Sequence, residues 1–201
     1  MAIPERSRHS VSQSTTGGVM RQRLRRHIVL IGMMGAGKTA IGTELARRLH
    51  VPFTDSDAEI ESAAAMSISE IFARDGEAFF RNREAEVIAR ILDGANGIIS
   101  TGGGAWLQAR NREAIRARGM AVWLNCDLET LWHRVKMRST RPLLQTADPK
   151  GTLERLMAER YPVYARADLD FPALPGTVEE TTLRLIQAIR NADPELIVEP
   201  K

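Results

Sequence analysis

A single cysteine, Cys126, in 201 residues excludes an intramolecular disulfide and a cysteine-based zinc cluster. A reducing compartment is compatible with that, and the residue is expected to serve as a small buried apolar side chain. Long apolar runs are missing too. None approaches the roughly 18 residues that a membrane helix needs, and no h-region follows the start, so a soluble chain with no membrane partner is expected. Acidic residues are nearly absent from positions 1–26, where six arginines stand against Glu5 alone. Of the 28 basic and 25 acidic residues, 22 and 24 therefore fall from position 27 onward, and the net charge of +3 becomes −2 there. The basic excess belongs to a Ser/Thr/Gly-containing stretch without apolar periodicity, so the overall charge does not imply nucleic-acid binding. Residues 1–26 read as a flexible Arg-rich N-terminal extension; an organelle transit peptide and an alternative start at Met20 are the competing explanations.

The whole chain is 43% apolar and 26% charged, and residues 27–201 fit one globular domain. Strand-like apolar runs occur at His27 to Ile31, Val51 to Thr54, Gly97 to Thr101 and Met120 to Leu124, with a weaker one at Asp168 to Phe171. Helical patterns alternate with them. Ile41, Leu45 and Leu49 recur every four residues opposite Arg47 and Arg48, as in a helix packed on a sheet. Ser67-Ile68-Ser69-Glu70 reads as a capping box, and Gly76 is expected to interrupt that helix before Glu77 to Leu92 resumes it. Further helices are expected at 111–118, 128–137, 151–160 and 178–190. The alternation implies a three-layer α/β/α fold around a parallel sheet.

Gly32-Met33-Met34-Gly35-Ala36-Gly37-Lys38-Thr39 fits G-x-x-x-x-G-K-[ST], the phosphate-cradling P-loop, and directly follows the apolar run 28–31. Four fixed positions match by accident in roughly one 200-residue chain in a hundred, before the strand and helix context is required. Backbone N–H groups of such a loop converge on phosphate oxygens, Lys38 reaches the β/γ-phosphates, and the Thr39 hydroxyl can ligate Mg²⁺. A nucleoside triphosphate with Mg²⁺ is the expected ligand.

Ligands of such sheets lie beyond the carboxyl ends of the strands. Asp55-Ser56-Asp57 follows the second run. If the strand continues, both carboxylates project to one side, Asp55 toward Mg²⁺ with Thr39 and Asp57 toward an acceptor hydroxyl; capping of the next helix is the alternative. Gly102-Gly103-Gly104 follows the third run and lets backbone approach a ligand, or makes a tight turn. Arg81 and Glu84 share a helix face, where Glu84 can aim the guanidinium at a ligand carboxylate or merely form a surface pair. Phe79 and Phe80 are expected in the core. Arg134, Lys136, Arg138 and Arg141 precede a polar stretch that suits a mobile lid over the phosphates, or a solvated basic helix end.

Gly32-x-x-Gly-x-Gly-Lys38-Thr39, Asp55-Ser-Asp57, Phe80-Arg81-x-x-Glu84, Gly102-Gly-Gly104, Arg141-Pro-Leu-Leu144 and Arg160-x-Pro-x-Tyr164 together resemble the shikimate kinase family, over about residues 27 to 190. The absence of a DxxG-type Walker B segment is similar to that family as well. The resemblance implies a nucleoside-monophosphate-kinase-like P-loop fold with a five-stranded parallel sheet, and ATP-dependent phosphorylation of the 3-hydroxyl of shikimate on the way to chorismate. It also implies roles: Lys38, Asp57 and Arg141 catalytic; Gly35, Ala36, Gly37, Lys38, Thr39, Ala40, Arg134 and Arg141 on the nucleotide, with Arg134 stacked on adenine. Asp57, Arg81, Gly103, Gly104 and Arg160 would hold shikimate, and Thr39 and Asp55 the metal. Two departures are the Arg-rich extension and the short segment 168–176 near the adenine. A gluconate-type or nucleoside monophosphate kinase is disfavoured by the paired arginines, and a non-catalytic nucleotide-binding module by the presence of Lys38, Asp57 and Arg141. A cytoplasmic monomer with no nucleic-acid partner is expected.

Overall fold

The computed structural model describes residues 23–136, 144 and 146–198. Along the chain run β1 (Arg23–Leu24), β2 (His27–Ile31), α1 (Lys38–Leu49), β3 (Phe53–Asp55), α2 (Ser56–Ala64), α3 (Ile68–Leu92) and β4 (Ile98–Ser100). A short 3₁₀ turn at Ala105–Leu107 leads to α4 (Ala109–Arg118), β5 (Gly119–Asn125), α5 (Leu128–Val135), α6 (Pro149–Tyr164), β6 (Leu169–Pro172), α7 (Val178–Ala192) and β7 (Ile197–Val198). Strands β2 to β6 form one wholly parallel sheet in the order β3-β4-β2-β5-β6.

All five residues of β2 are buried, as a central parallel strand covered on both faces requires. Ile41, Leu45 and Leu49 of α1 join the same core, while Arg47 and Arg48 turn outward onto Glu44. The chain leaves β2 toward β3 and β4 on one side and reaches β5 and β6 on the other, so the crevice where strand order reverses lies at the carboxyl end of β2. The second strand starts at Phe53 rather than Val51, because the Val51 N–H is spent on Ala46 O at the end of α1.

The capping box at Ser67 and Glu70 is formed, and the helix breaks at Gly76, whose φ of 79° and ψ of 172° are non-helical. Ile60, Ile71, Phe80 and Val87 of α2 and α3 make a small core of their own, separate from the sheet-centred one. Phe79 departs from expectation: it is exposed, its ring beside Arg83, because only the following position faces the helix partners. Cys126 is buried, and burial pushes its thiol pKa up.

Residues 23–26, assigned from sequence to the extension, belong to the described framework. Arg23 and Leu24 pair antiparallel with Val198 and Ile197, Leu24 is buried, and Arg25 and Arg26 bind Glu195 and Asp193 at 2.6 and 2.9 Å. Two-residue strands carry no readable periodicity. Residues 1–22, Arg138, Arg141 and most of the expected lid lie outside the described residues. No helix among the described residues is long and apolar enough to cross a membrane.

Candidate active site

At the end of β2 the chain turns through residues 32–37 into α1, with Gly37 at φ 95° as N-cap and no side-chain cap hydrogen bond. The first-turn amides of α1 are thus open to an anion, and the helix dipole favours one. Lys38 Nζ lies along the loop and donates to Gly32 O and Met33 O, both at 3.0 Å. Arg134, on α5, donates from Nη1 to Gly35 O and Ala36 O at 3.3 and 3.4 Å. In this state, therefore, its guanidinium supports the back of the loop. Gly35, Ala36, Gly37, Lys38, Thr39, Ala40 and Arg134 all line one cleft of about 1090 Å³, which continues past Asp55, Asp57 and Gly103 to Ala173, Leu174 and Thr177. The short 168–176 segment thereby contributes its end to the cleft wall.

Asp55 caps the next helix, the alternative read from sequence, and also stands beside Thr39. Its Oδ2 accepts from Thr39 Oγ1 at 3.0 Å, and its Oδ1 caps α2 by accepting from the Asp57 and Ala58 N–H groups. The strand ends at Asp55, however, so strand alternation is not what brings the two carboxylates together. Asp57 stands in the first turn of α2 and reaches the cleft from there. One hydroxyl and one carboxylate beside the P-loop fit Mg²⁺, which retains several waters and takes one or two carboxylates. Among the described residues no group of three or more His, Cys, Asp or Glu side chains forms a cage for a metal.

The glycine triplet makes the tight turn that is one of its readings from sequence, Ala105 N–H donating to Gly102 O at 3.1 Å, and it also leaves room for neighbouring side chains. A Cβ on Gly102 would stand 2.5 Å from Asp57 Oδ1, one on Gly103 3.3 Å from Arg160 Nη1, and one on Gly104 2.5 Å from Arg81 Nη1. Each glycine thus admits a different charged side chain, and those three are the ones expected on the substrate. The same added Cβ on Gly103 would lie 3.6 Å from Gly32 O, one of the two carbonyls that Lys38 holds, so the turn lies close beside the phosphate loop. Gly102 N–H also donates to Ser56 Oγ at 3.4 Å.

Arg81 is fixed from several directions. Nη1 donates to Glu84 at 2.9 and 3.2 Å, the guanidinium carbon sits 5.1 Å from the Phe80 ring centre, and Arg110 Nη2 donates to the Arg81 carbonyl. Burial opposes the Arg81 charge, but Glu84 and Glu77 outweigh it and raise its pKa. Glu84 is fully buried, and burial lifts its carboxyl pKa above the usual value although Arg81 pulls it back. Arg160 is buried on α6 one turn before Tyr164. Tyr164 is fully buried, donates to Gly103 O, and has its pKa pushed up by burial despite the arginines beside it.

Arg110, Tyr164 and Glu77 received no role from sequence. Tyr164 alone left a trace there, four residues after Arg160 and on its helix face. That the helix continues through Pro162 to Tyr164 is set by packing: Tyr161 meets the Trp123 ring at 4.9 Å and donates to Cys126 O.

The family model for shikimate kinase matches residues 34–190. The chain is 58% identical over 161 residues to a shikimate kinase of Ruegeria pomeroyi, covering 80% of this chain and 82% of that one. It is 54% identical over 167 residues to that of Cereibacter sphaeroides, covering 83% and 84%. Shikimate kinase from Acinetobacter baumannii in complex with shikimate superposes with a TM-score of 0.80 at 36% identity, covering 84% of this chain and 94% of that one. Arg81, Gly104 and Arg160 are not among the residues lining the cleft itself but meet it through the glycine turn, and on the family model and these relatives this chain belongs to the shikimate kinase family.

Proposed function

We propose that this chain transfers the γ-phosphoryl group of ATP to the 3-hydroxyl of shikimate, giving shikimate 3-phosphate and ADP on the route to chorismate. The observation that carries the reading is the glycine turn at 102–104, against which Asp57, Arg160 and Arg81 close, beside the carbonyl that holds Lys38. A ring acid with hydroxyls needs cations for its carboxylate and an acceptor for a hydroxyl proton, and this turn gathers both next to a phosphate loop.

Arg81 and Arg160 bind the carboxylate, and the N–H groups of Gly103 and Gly104 add contacts from the turn. Asp57 holds the 3-hydroxyl; as its oxygen bonds to the γ-phosphorus and the bond to the β-phosphate oxygen breaks, Asp57 receives the proton. Lys38 leaves the loop carbonyls for the phosphates, and the open amides of α1 share their charge. Positioning and electrostatics supply most of the rate in this reaction class, which puts orientation by Asp57 ahead of its basicity. Thr39 and Asp55 hold Mg²⁺, which neutralises phosphate charge when bound. Arg134 contacts the adenine end and Arg141 the transferring group as the lid closes and excludes water. The enzyme works as a cytoplasmic monomer.

A coupled ADP-release assay with shikimate, gluconate and AMP as acceptors tests the reading on wild type and Arg81→Ala. Release is expected with shikimate alone, at least about tenfold lower for the variant at limiting shikimate. Equal turnover with gluconate, or indifference to the substitution, contradicts the substrate assignment.

A further inference from the structure

Carboxylates hold all three nitrogens of Arg81. Nη1 donates to both oxygens of Glu84, while Nε and Nη2 both donate to Glu77 Oε1, at 3.2 and 3.1 Å. The two partners differ in freedom: the Glu84 side chain is 1% exposed, that of Glu77 67%. If Glu84 withdrew, it would leave a charge stranded in a dry setting, whereas Glu77 exchanges an exposed ion pair for water. With Nη1 committed to Glu84, the Nε–Nη2 edge is where a second carboxylate can sit on both donors, and Glu77 occupies it. Glu77 also follows the Gly76 break, where an added Cβ would meet nothing within 4 Å, so packing does not pin the chain at that point.

We propose that Glu77 is an internal competitor for the substrate carboxylate. It holds the Nε–Nη2 edge of Arg81 in the free enzyme and swings into solvent when the carboxylate of shikimate takes that edge. The inference rests on the reading of Arg81 as the carboxylate clamp. It makes Glu77 a specificity-determining residue. An acceptor with a carboxylate replaces it like for like, while a neutral polyol finds the guanidinium already paired. The affinity for shikimate is lowered by the fraction of enzyme in which the edge is taken, and an exposed ion pair of ordinary strength makes that about two- to sixfold.

Isothermal titration of shikimate and of its methyl ester into wild type, Glu77→Gln, Asp75→Asn and Arg81→Lys tests this. Glu77→Gln is expected to bind shikimate about two- to sixfold more tightly, to bind the methyl ester as wild type does, and to lower the KM for shikimate but not for ATP. Glu77→Ala is expected to show the same direction. Asp75 pairs with Arg74 and not with Arg81, so Asp75→Asn is expected to change nothing. An unchanged or weaker affinity in Glu77→Gln, or an equal gain in Asp75→Asn, overturns the competitor while Arg81→Lys still weakens shikimate binding. Full affinity in Arg81→Lys removes the clamp itself, and the competitor with it.

Discussion

The P-loop and the surroundings of Arg81, the proposed carboxylate clamp, are built differently. The P-loop leaves a strand buried at every residue and enters a helix that packs on the sheet, so its amides are fixed by the main core. Arg81 stands on α3, beyond the Gly76 break, over a core of only four buried residues. Fewer buried apolar contacts mean a lower local free energy of opening. The P-loop is therefore rigid by construction, whereas the proposed substrate grip at Arg81 depends on a few polar contacts: Glu84, Arg110 and the turn at 102–104. Substitutions on the phosphate side should damage chemistry, and substitutions on the other side should damage shikimate affinity or local stability.

The largest effect is expected from Lys38→Ala, a loss of about 10²- to 10³-fold in kcat measured by ADP release, with the melting temperature nearly unchanged. Next comes Glu84→Gln. Removing the buried partner leaves Arg81 with Glu77 alone, and a loss of about 1–3 kcal/mol is expected in urea unfolding, together with a raised KM for shikimate. Gly104→Ala brings a methyl onto a guanidinium already held by two carboxylates and Phe80, so Arg81 shifts. A rise of about tenfold in KM for shikimate with KM for ATP unchanged is expected in initial-rate kinetics. A matching rise for ATP would erase the distinction between the two sides.

The smallest effect is expected where neither side is touched. Arg26 holds the Asp193 carboxyl below its usual pKa of 3.8. A depressed folded-state pKa stabilises above the unfolded value, and that stabilisation disappears as pH falls below it. Asp193→Asn should cost under about 1 kcal/mol at neutral pH, with the gap from wild type closing on acidification below about pH 4 in thermal melts.

The two sides were also unequally legible. The parallel sheet, α1 and the break at Gly76 follow from apolar periodicity, a capping box and one glycine, all local signals. The P-loop is local as well. Gly102 to Gly104 were visible, but what they admit was not, because Asp57, Arg160 and Arg81 arrive from three different helices. Asp57 was singled out on the premise of a continuing strand, whereas the helix starts one residue earlier and Asp55 caps it. Glu77 gave no signal, since an acidic residue four before an arginine is ordinary helix chemistry until the far edge of that arginine is seen to be taken. The β1–β7 pair escaped notice because two-residue strands lack a period.

The central claim is that Arg81 grips the substrate carboxylate while the P-loop grips nucleotide independently. Equilibrium titration of shikimate and of a non-hydrolysable ATP analogue into Arg81→Ala tests it most directly. Shikimate affinity is expected to fall by about tenfold or more while nucleotide affinity stays within about twofold of wild type. Shikimate binding at wild-type strength, or equal loss of both ligands, would contradict it.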